Sequence, residues 1–354
     1  MVISLQLCAS GSSNPSFTPA ESYRETPVGN KFDSFVNLSA TFDAATGELI
    51  ADSFPFGSDS RKFRSVFTIP NGAISIEGDY QNVMTANGTT ITERSGHWYV
   101  GFTAHPHNIS SKPIKKLHGD VIFLQVACQV WHYQHETIGQ LLMLLESGEL
   151  SRILAKKSSS TLLVSNHLTC GLPHVYGSML TYYGLDSLLS KLTVHKMDTN
   201  SIYQAVGGNL FLTANGCYHP NLHFLQHANE VSAKSRQLLL QRDAEALGAA
   251  APPPPARLYI DREAHYNRGI VNRAELLAGL APFNFTLFSP ASHTFTEQQE
   301  TFARASLILS PSGTAFSANV VYCNPNTTIL IEMFGKPIHT RTGTDVPLTT
   351  LRTV

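Results

Sequence analysis

Residues 256–334 read ARLYIDREAHYNRGIVNRAELLAGLAPFNFTLFSPASHTFTEQQETFARASLILSPSGTAFSANVVYCNPNTTILIEMF, and their pattern decides the fold class. Short apolar runs ("ARLYIDR", "FNFTLFSP", "SLILSPSG", "TTILIEMF") alternate with segments of helical apolar spacing ("NRAELLAGL", "TEQQETFARA", "TAFSANVVYC"). Asn272 opens the first helix, and Thr294 or Thr296 caps the second. Strand and helix alternating in this way imply a parallel sheet with helices packed on it, the framework of a nucleotide-binding half-domain.

Working outward, "GAAAPPPP" stands just before this stretch. Four prolines cannot continue a helix and favour a stiff extended segment, so the linker belongs here. Upstream, the alternation recurs from residue 96: "VIFLQVA" as strand, "ETIGQLLMLLESGEL" as helix, "TLLVSNH" as strand and "GSMLTYYGLDSLLSKL" as helix. "LTVHK" and "NLFLTANG" add strands, and "LHFLQHANEVSAKSRQLLLQRDAEAL" is spaced as a long helix. Residues 1–95 are rich in Ser, Thr, Asn and Gly, with strand-like stretches "SVFTIP" and "AISIEG". The expected organisation is a β-rich region over 1–95, an α/β domain over 96–250 and a second over 251–354.

A formal net charge of −1 supplies no global basic field for nucleic acid or anionic lipid, so anion binding must be local. The longest apolar runs are too short to cross a bilayer, and the start lacks the basic-then-apolar pattern of a secretion signal; a cytosolic protein is expected. Five scattered cysteines without C-x-x-C spacing argue against a disulfide framework and a cysteine-rich zinc site. N-x-[ST] sequons at Asn37, Asn87, Asn108, Asn284 and Asn326 fit a secretory-lumen enzyme, and chance accounts for them equally well.

Three clusters carry possible chemistry. In "LILSPSGTAF" a strand runs into a turn and a helix start, so the amides near Ser312, Gly313 and Thr314 would face an anion above the sheet edge. Such a turn also occurs merely to redirect the chain. Arg262 ends the preceding strand and Arg268 follows six residues later; both guanidiniums converging on one diphosphate, or a salt bridge to Asp261 or Glu263, fit the spacing evenly. "WHYQHET" has His132 and His135, followed by Glu136 and a helix; a histidine here fits a general base or a hydrogen-bonding substrate contact, against the commoner role of a residue satisfied in the core or at the surface. His219, His223 and His227 are spaced i, i+4, but Pro220 sets the first outside the helix and no carboxylate or cysteine completes a metal set.

In this order the segments resemble glycosyltransferase family 61. "LYIDREAHYNRGIVNRAEL" places Arg262, Arg268 and Asn272 on the family's arginine motif; the later segment places Gln298 or Gln299, Ser312, Gly313, Asn319, Pro325 and Glu332; "WHYQHETIGQLLMLL" places His135 on the family's histidine. Two departures stand out: "PSGTAFSAN" has Ser312 where the family has histidine, and Asn267 and Arg273 replace an arginine and an acid. The resemblance implies an α/β GT-B fold, two Rossmann-like domains facing across a cleft, with a β-rich extension. It also implies inverting, metal-independent transfer from a nucleotide sugar, UDP-linked, to a glycan acceptor in capsule, lipopolysaccharide or other glycan assembly, with the nucleotide sugar a co-substrate rather than a cofactor. Peripheral membrane association fits such a role. On that reading His135 is the base, and Arg262, Arg268, Asn272, Ser312, Gly313, Thr314, Asn319 and Glu332 hold the nucleotide sugar. The alternatives are a non-catalytic carbohydrate-binding or scaffolding protein on the same fold and a metal hydrolase on the His219 series.

Overall fold

The computed structural model describes residues 65–77, 80–91, 112–156, 160–213, 222–247, 256–261, 270, 272–311 and 313–333, with short strands at 24–27, 40–42, 49–52 and 96–97. The first strands are β1 (Arg24–Pro27), β2 (Ala40–Phe42), β3 (Leu49–Asp52), β4 (Ser65–Pro70), β5 (Ala73–Glu77), β6 (Tyr80–Met84), β7 (Gly96–His97), β8 (Ile114–His118) and β9 (Val121–Leu124). After β9 come α1 (Val130–His132), a π-helical turn (Tyr133–Ile138), α2 (Gly139–Glu146), α3 (Glu149–Ala155), β10 (Thr161–Val164), α4 (Ser178–Tyr182), α5 (Asp186–Leu189), β11 (Thr193–Lys196), β12 (Ile202–Val206) and β13 (Asn209–Thr213). The long helix α6 (Leu222–Leu247) leads to β14 (Ala256–Ile260), α7 (Arg273–Leu280), β15 (Phe285–Phe288), α8 (Phe295–Ala303), β16 (Ala305–Pro311), α9 (Thr314–Ser317) and β17 (Ile329–Met333).

The sheet of residues 256–333 runs β15, β14, β16, β17, all parallel. The chain moves one way from β14 to β15 and then back past β14 to β16. The order therefore switches between β14 and β16, whose carboxyl ends are followed by Asp261 and formed by Pro311. Thr294 starts α8 with a full capping box: its hydroxyl accepts from the Glu297 amide, and its own amide donates to Glu297 Oε2 at 2.7 Å.

The larger sheet runs β1, β4, β13, β9, β10, β11, with β13, β9, β10 and β11 parallel. A further sheet, β7, β6, β5, β12, β8, covers one of its faces. Strand β9 shows why its four residues are all apolar: Val121 and Phe123 point into the sheet-on-sheet core, Ile122 and Leu124 into the core beneath the helices. The β-rich region expected over 1–95 does not stand apart from the α/β sheet. β4 pairs with β13 from Asn209↔Pro70 to Thr213↔Val66, and β5 pairs with β12. Alternation within "SVFTIP" reveals a strand but not its partner, which lies far along the chain.

Two expected helices are broken by glycine. Gly148 (φ 78°) separates α2 from α3 and Gly184 (φ 70°) separates α4 from α5, a left-handed conformation that glycine adopts without steric cost. Among the described residues no helix is long and apolar enough to cross a membrane.

One cysteine expectation is corrected. Cys128, after β9, and Cys170, after β10, form a disulfide with Cα atoms 5.4 Å apart across a separation of 42 residues. Sequence spacing missed it because the strands that bring the two loops together are parallel neighbours, a fact of topology. Closing a loop of that length stabilises by about 4 kcal/mol on the loop-entropy argument. A C128S/C170S double variant is accordingly expected to unfold at clearly lower urea concentration, and an unchanged midpoint would show the bridge to be energetically idle.

Candidate active site

On the N-terminal side, segment 125–139 leaves the carboxyl end of β9. Its first amides are already satisfied: Gln125 N donates to Gln140 Oε1 (3.1 Å), Val126 N to Ser165 Oγ (2.8 Å) and Ala127 N to Thr137 Oγ1 (3.0 Å). Those three amides are therefore committed within the protein. The loop instead locks the following helical turn. Tyr133 Oη donates to Leu168 O at 2.9 Å and Tyr176 Oη to Cys128 O at 2.6 Å, so the disulfide and two tyrosines fix the adjacent loops together.

The π-helical turn Tyr133–Ile138 is wholly buried, and such turns inside α-helices frequently mark functional sites. His135 is only 2% exposed, its ring stacked at 4.5 Å on Trp131 and edge-on at 4.7 Å to Phe224. Its Nδ1 has no hydrogen-bond partner. Burial, with His132 nearby, lowers its pKa to about 3. His132, one turn earlier and nearer the surface, shares a 2.5 Å hydrogen bond with Glu136. Burial raises the Glu136 pKa, and the His132 contact opposes that shift.

The His135 shift has a definite stability consequence. Its folded-state pKa lies below the ordinary 6.5, so the native state binds fewer protons than the unfolded chain. This contribution is complete above about pH 6.5 and is lost as pH falls towards 3, at about 1.4 kcal/mol per pH unit. His135→Phe should flatten that part of the stability profile in denaturant titrations; a variant profile parallel to wild type would contradict it.

On the C-terminal side, Asp261 follows β14 and is gripped by Arg273: Nε lies 2.9 and 3.1 Å from its two oxygens and Nη2 2.6 Å from Oδ2. Asp261 Oδ1 and Oδ2 are thus both engaged by an arginine that sequence reasoning noted only as a departure. Asn272 precedes α7, exposed, and donates to Glu275 Oε2 at 3.2 Å without capping the helix backbone. After β16, Gly313 is buried and its carbonyl accepts from the Phe316 and Ser317 amides. The amides of Gly313, Thr314 and Ala315 therefore precede the first internal bond of the turn. Asn319 is buried, and its Nδ2 donates back to Ala315 O at 2.9 Å, closing the turn. Glu332 lies on β17 in register with Ser310. Arg262, Arg268 and Ser312 lie outside the described residues.

Contact between α1 and α9 brings the two sides together, so the turn bearing His132 and His135 adjoins the one after β16. Behind them, Gln134 Nε2 donates to Tyr322 Oη at 2.7 Å, and Tyr183 Oη lies 3.0 Å from the same oxygen. Burial pushes both phenols well above their ordinary pKa, so they remain neutral hydrogen-bonding groups. Among the described residues no group of three His, Cys, Asp or Glu gathers as a metal site; His219 lies outside them, and His227 Nε2 is 3.1 Å from Tyr183 O.

These features define an α/β protein whose candidate site lies at the carboxyl edges of two parallel strand sets, the usual location for ligands of this class. The family described as Glycosyltransferase 61 matches residues 130–330, more than half of the chain, and the protein belongs to that family. Its reaction class is glycosyl transfer, which requires a sugar donor and an acceptor. No curated protein matches the chain.

Proposed function

We propose that the protein is an inverting, metal-independent glycosyltransferase of GT-B architecture that moves a sugar from a UDP-linked donor to a glycan acceptor in polysaccharide or glycoconjugate assembly. The observation that carries this reading is the switch point between β14 and β16, with turn amides that precede the first internal bond, adjoining the helical turn that holds two histidines and a glutamate. An acceptor oxygen attacks the anomeric carbon opposite the diphosphate; the new C–O bond forms as the sugar–phosphate bond breaks. The leaving diphosphate gains negative charge, which Arg262, Arg268 and the amides near Gly313 would meet as fixed donors. On this reading Asn272, Ser312, Thr314 and Asn319 would help to hold the nucleotide sugar, and Glu332 would accept from ribose hydroxyls.

Geometry moves the proposed base from His135 to its neighbour. An imidazole that is 2% exposed, with a pKa near 3, is a poor and poorly reached proton acceptor at neutral pH. His132, held by Glu136 as the orienting carboxylate, is nearer the surface on the same turn. His135 stays in the proposal as the neutral ring that packs Trp131 in place.

A disulfide such as Cys128–Cys170 persists in an oxidising compartment. Together with exposed sequon residues Asn87, Asn284 and Asn326, it weighs for a lumenal rather than a cytosolic setting. Calorimetric titration with UDP, GDP and CMP in the presence of chelator tests the transferase reading: UDP alone should bind. Glycan binding with no nucleotide binding would favour the non-catalytic carbohydrate-binding alternative, motivated by the altered "PSGTAFSAN" turn.

A further inference from the structure

Away from the histidine turn, α6 and α8 enclose a cleft of about 200 Å³ that opens to solvent. This is below the roughly 300–1,000 Å³ of sites for drug-sized ligands and suits a single ring. Arg236 reaches into it from α6. Among the described residues its Nη1 donates to the carbonyl oxygens of Cys323 (2.9 Å) and Tyr322 (3.3 Å), and no carboxylate pairs with it there. A half-buried guanidinium with no acid beside it among the described residues is an unbalanced charge there, and burial lowers its pKa.

The other wall supplies a second, independent sign of a missing ligand. Gln299, on α8, is 7% exposed and lines the cleft, yet among the described residues its Nε2 has no hydrogen-bond partner, the Tyr322 hydroxyl being close by but not aligned with it. A buried amide left unpaired is destabilising, and a ligand oxygen would relieve that. The hydroxyls of Ser232 and Ser235 lie along the same wall as Arg236, and the Tyr182 hydroxyl donates to Ser232 at 3.3 Å, leaving an aromatic ring at the floor. The one carboxylate in the lining, Glu300, is taken up by Arg242 (2.9 Å) and Arg304 (3.3 Å), so it does not neutralise Arg236.

We infer that the α6–α8 cleft is a second ligand site that takes a single sugar ring bearing an oxyanion, a carboxylate or a phosphate ester, with the oxyanion on Arg236 and ring hydroxyls on Gln299 and Ser235. The guanidinium matches either oxyanion with paired donors, so both sources share one recognition chemistry. The site is distinct from the proposed donor site at the β14–β16 switch point. It adjoins the histidine turn through Tyr322, which accepts from Gln134, and through α6, whose Phe224 packs on His135.

The test is titration of the full chain, followed by calorimetry and ligand-observed NMR, with glucuronate, glucose 6-phosphate, glucose and inorganic phosphate. One of the two acidic sugars should bind at least 10-fold more tightly than glucose and than phosphate alone, and which one does identifies the oxyanion. Arg236→Gln should weaken that binding at least 10-fold. Because Arg236 also holds two carbonyls, Ser235→Phe serves as a second variant that fills the cleft without removing those bonds, and it should abolish binding. Saturating UDP should leave the acidic sugar bound. Equal affinity for glucose and both acidic sugars, unchanged affinity in the Ser235→Phe protein, or displacement by UDP would each overturn the inference. None of these results depends on whether the protein transfers sugar.

Discussion

Replacing Arg262 or Arg268 by alanine is expected to lower kcat/KM for sugar transfer by about 10²–10³-fold each, with little change in melting temperature. The magnitude follows from removing one fixed donor from a leaving group that gains charge in the transition state. The competing account makes these arginines surface salt-bridge partners of Asp261 or Glu263. Asp261 no longer serves that account well: its side chain is largely buried and both its oxygens are engaged by Arg273. With Asp261 already paired, Glu263 is the salt-bridge partner that account has left, and the proposal sets a bound diphosphate against it as the counter-charge. The measurement is UDP release from a UDP-sugar in the presence of acceptor, alongside thermal melting. Unchanged turnover in both variants would remove the arginines from the site. Loss of turnover with collapse of the melting transition would make them structural.

The parts of the fold that were legible in the sequence are those whose signal is local. Strands β14 to β17 and their helices follow from apolar period and caps, and Thr294 is a cap because a glutamate stands three residues later. The partners of each strand were not legible. "SVFTIP" shows a strand, but its pairing with β13, about 140 residues away, depends on where the intervening chain travels. The Cys128–Cys170 bridge was missed for the same reason. At the site, residue types were readable and their roles less so. Three histidine-turn residues could be named, yet burial is a property of neighbours, and Phe224 reaches His135 from α6. Arg273 looked like a departure from a motif until Asp261 was seen to lie opposite it.

That distinction between residue type and environment sets up the second large effect. His132→Ala is expected to lower kcat by about 10²–10⁴-fold with little change in donor KM, the loss expected when a positioned proton acceptor is removed. Glu136→Gln should show a smaller loss, because it removes the carboxylate that orients and stabilises the protonated ring but leaves the ring itself. His135→Phe tests the opposite assignment. Its Nδ1 has no partner, so an apolar ring there discards an unpaired polar group and keeps the stack on Trp131; activity should persist while stability gains at mildly acidic pH. If instead His135→Phe abolishes turnover in a folded protein and His132→Ala spares it, the base is His135. Trp131 must then swing aside to admit the acceptor, since no hydroxyl can reach a ring packed between Trp131 and Phe224 as it stands. The two variants thus separate a base chosen by its place in a motif from one chosen by access, and only the second needs no rearrangement.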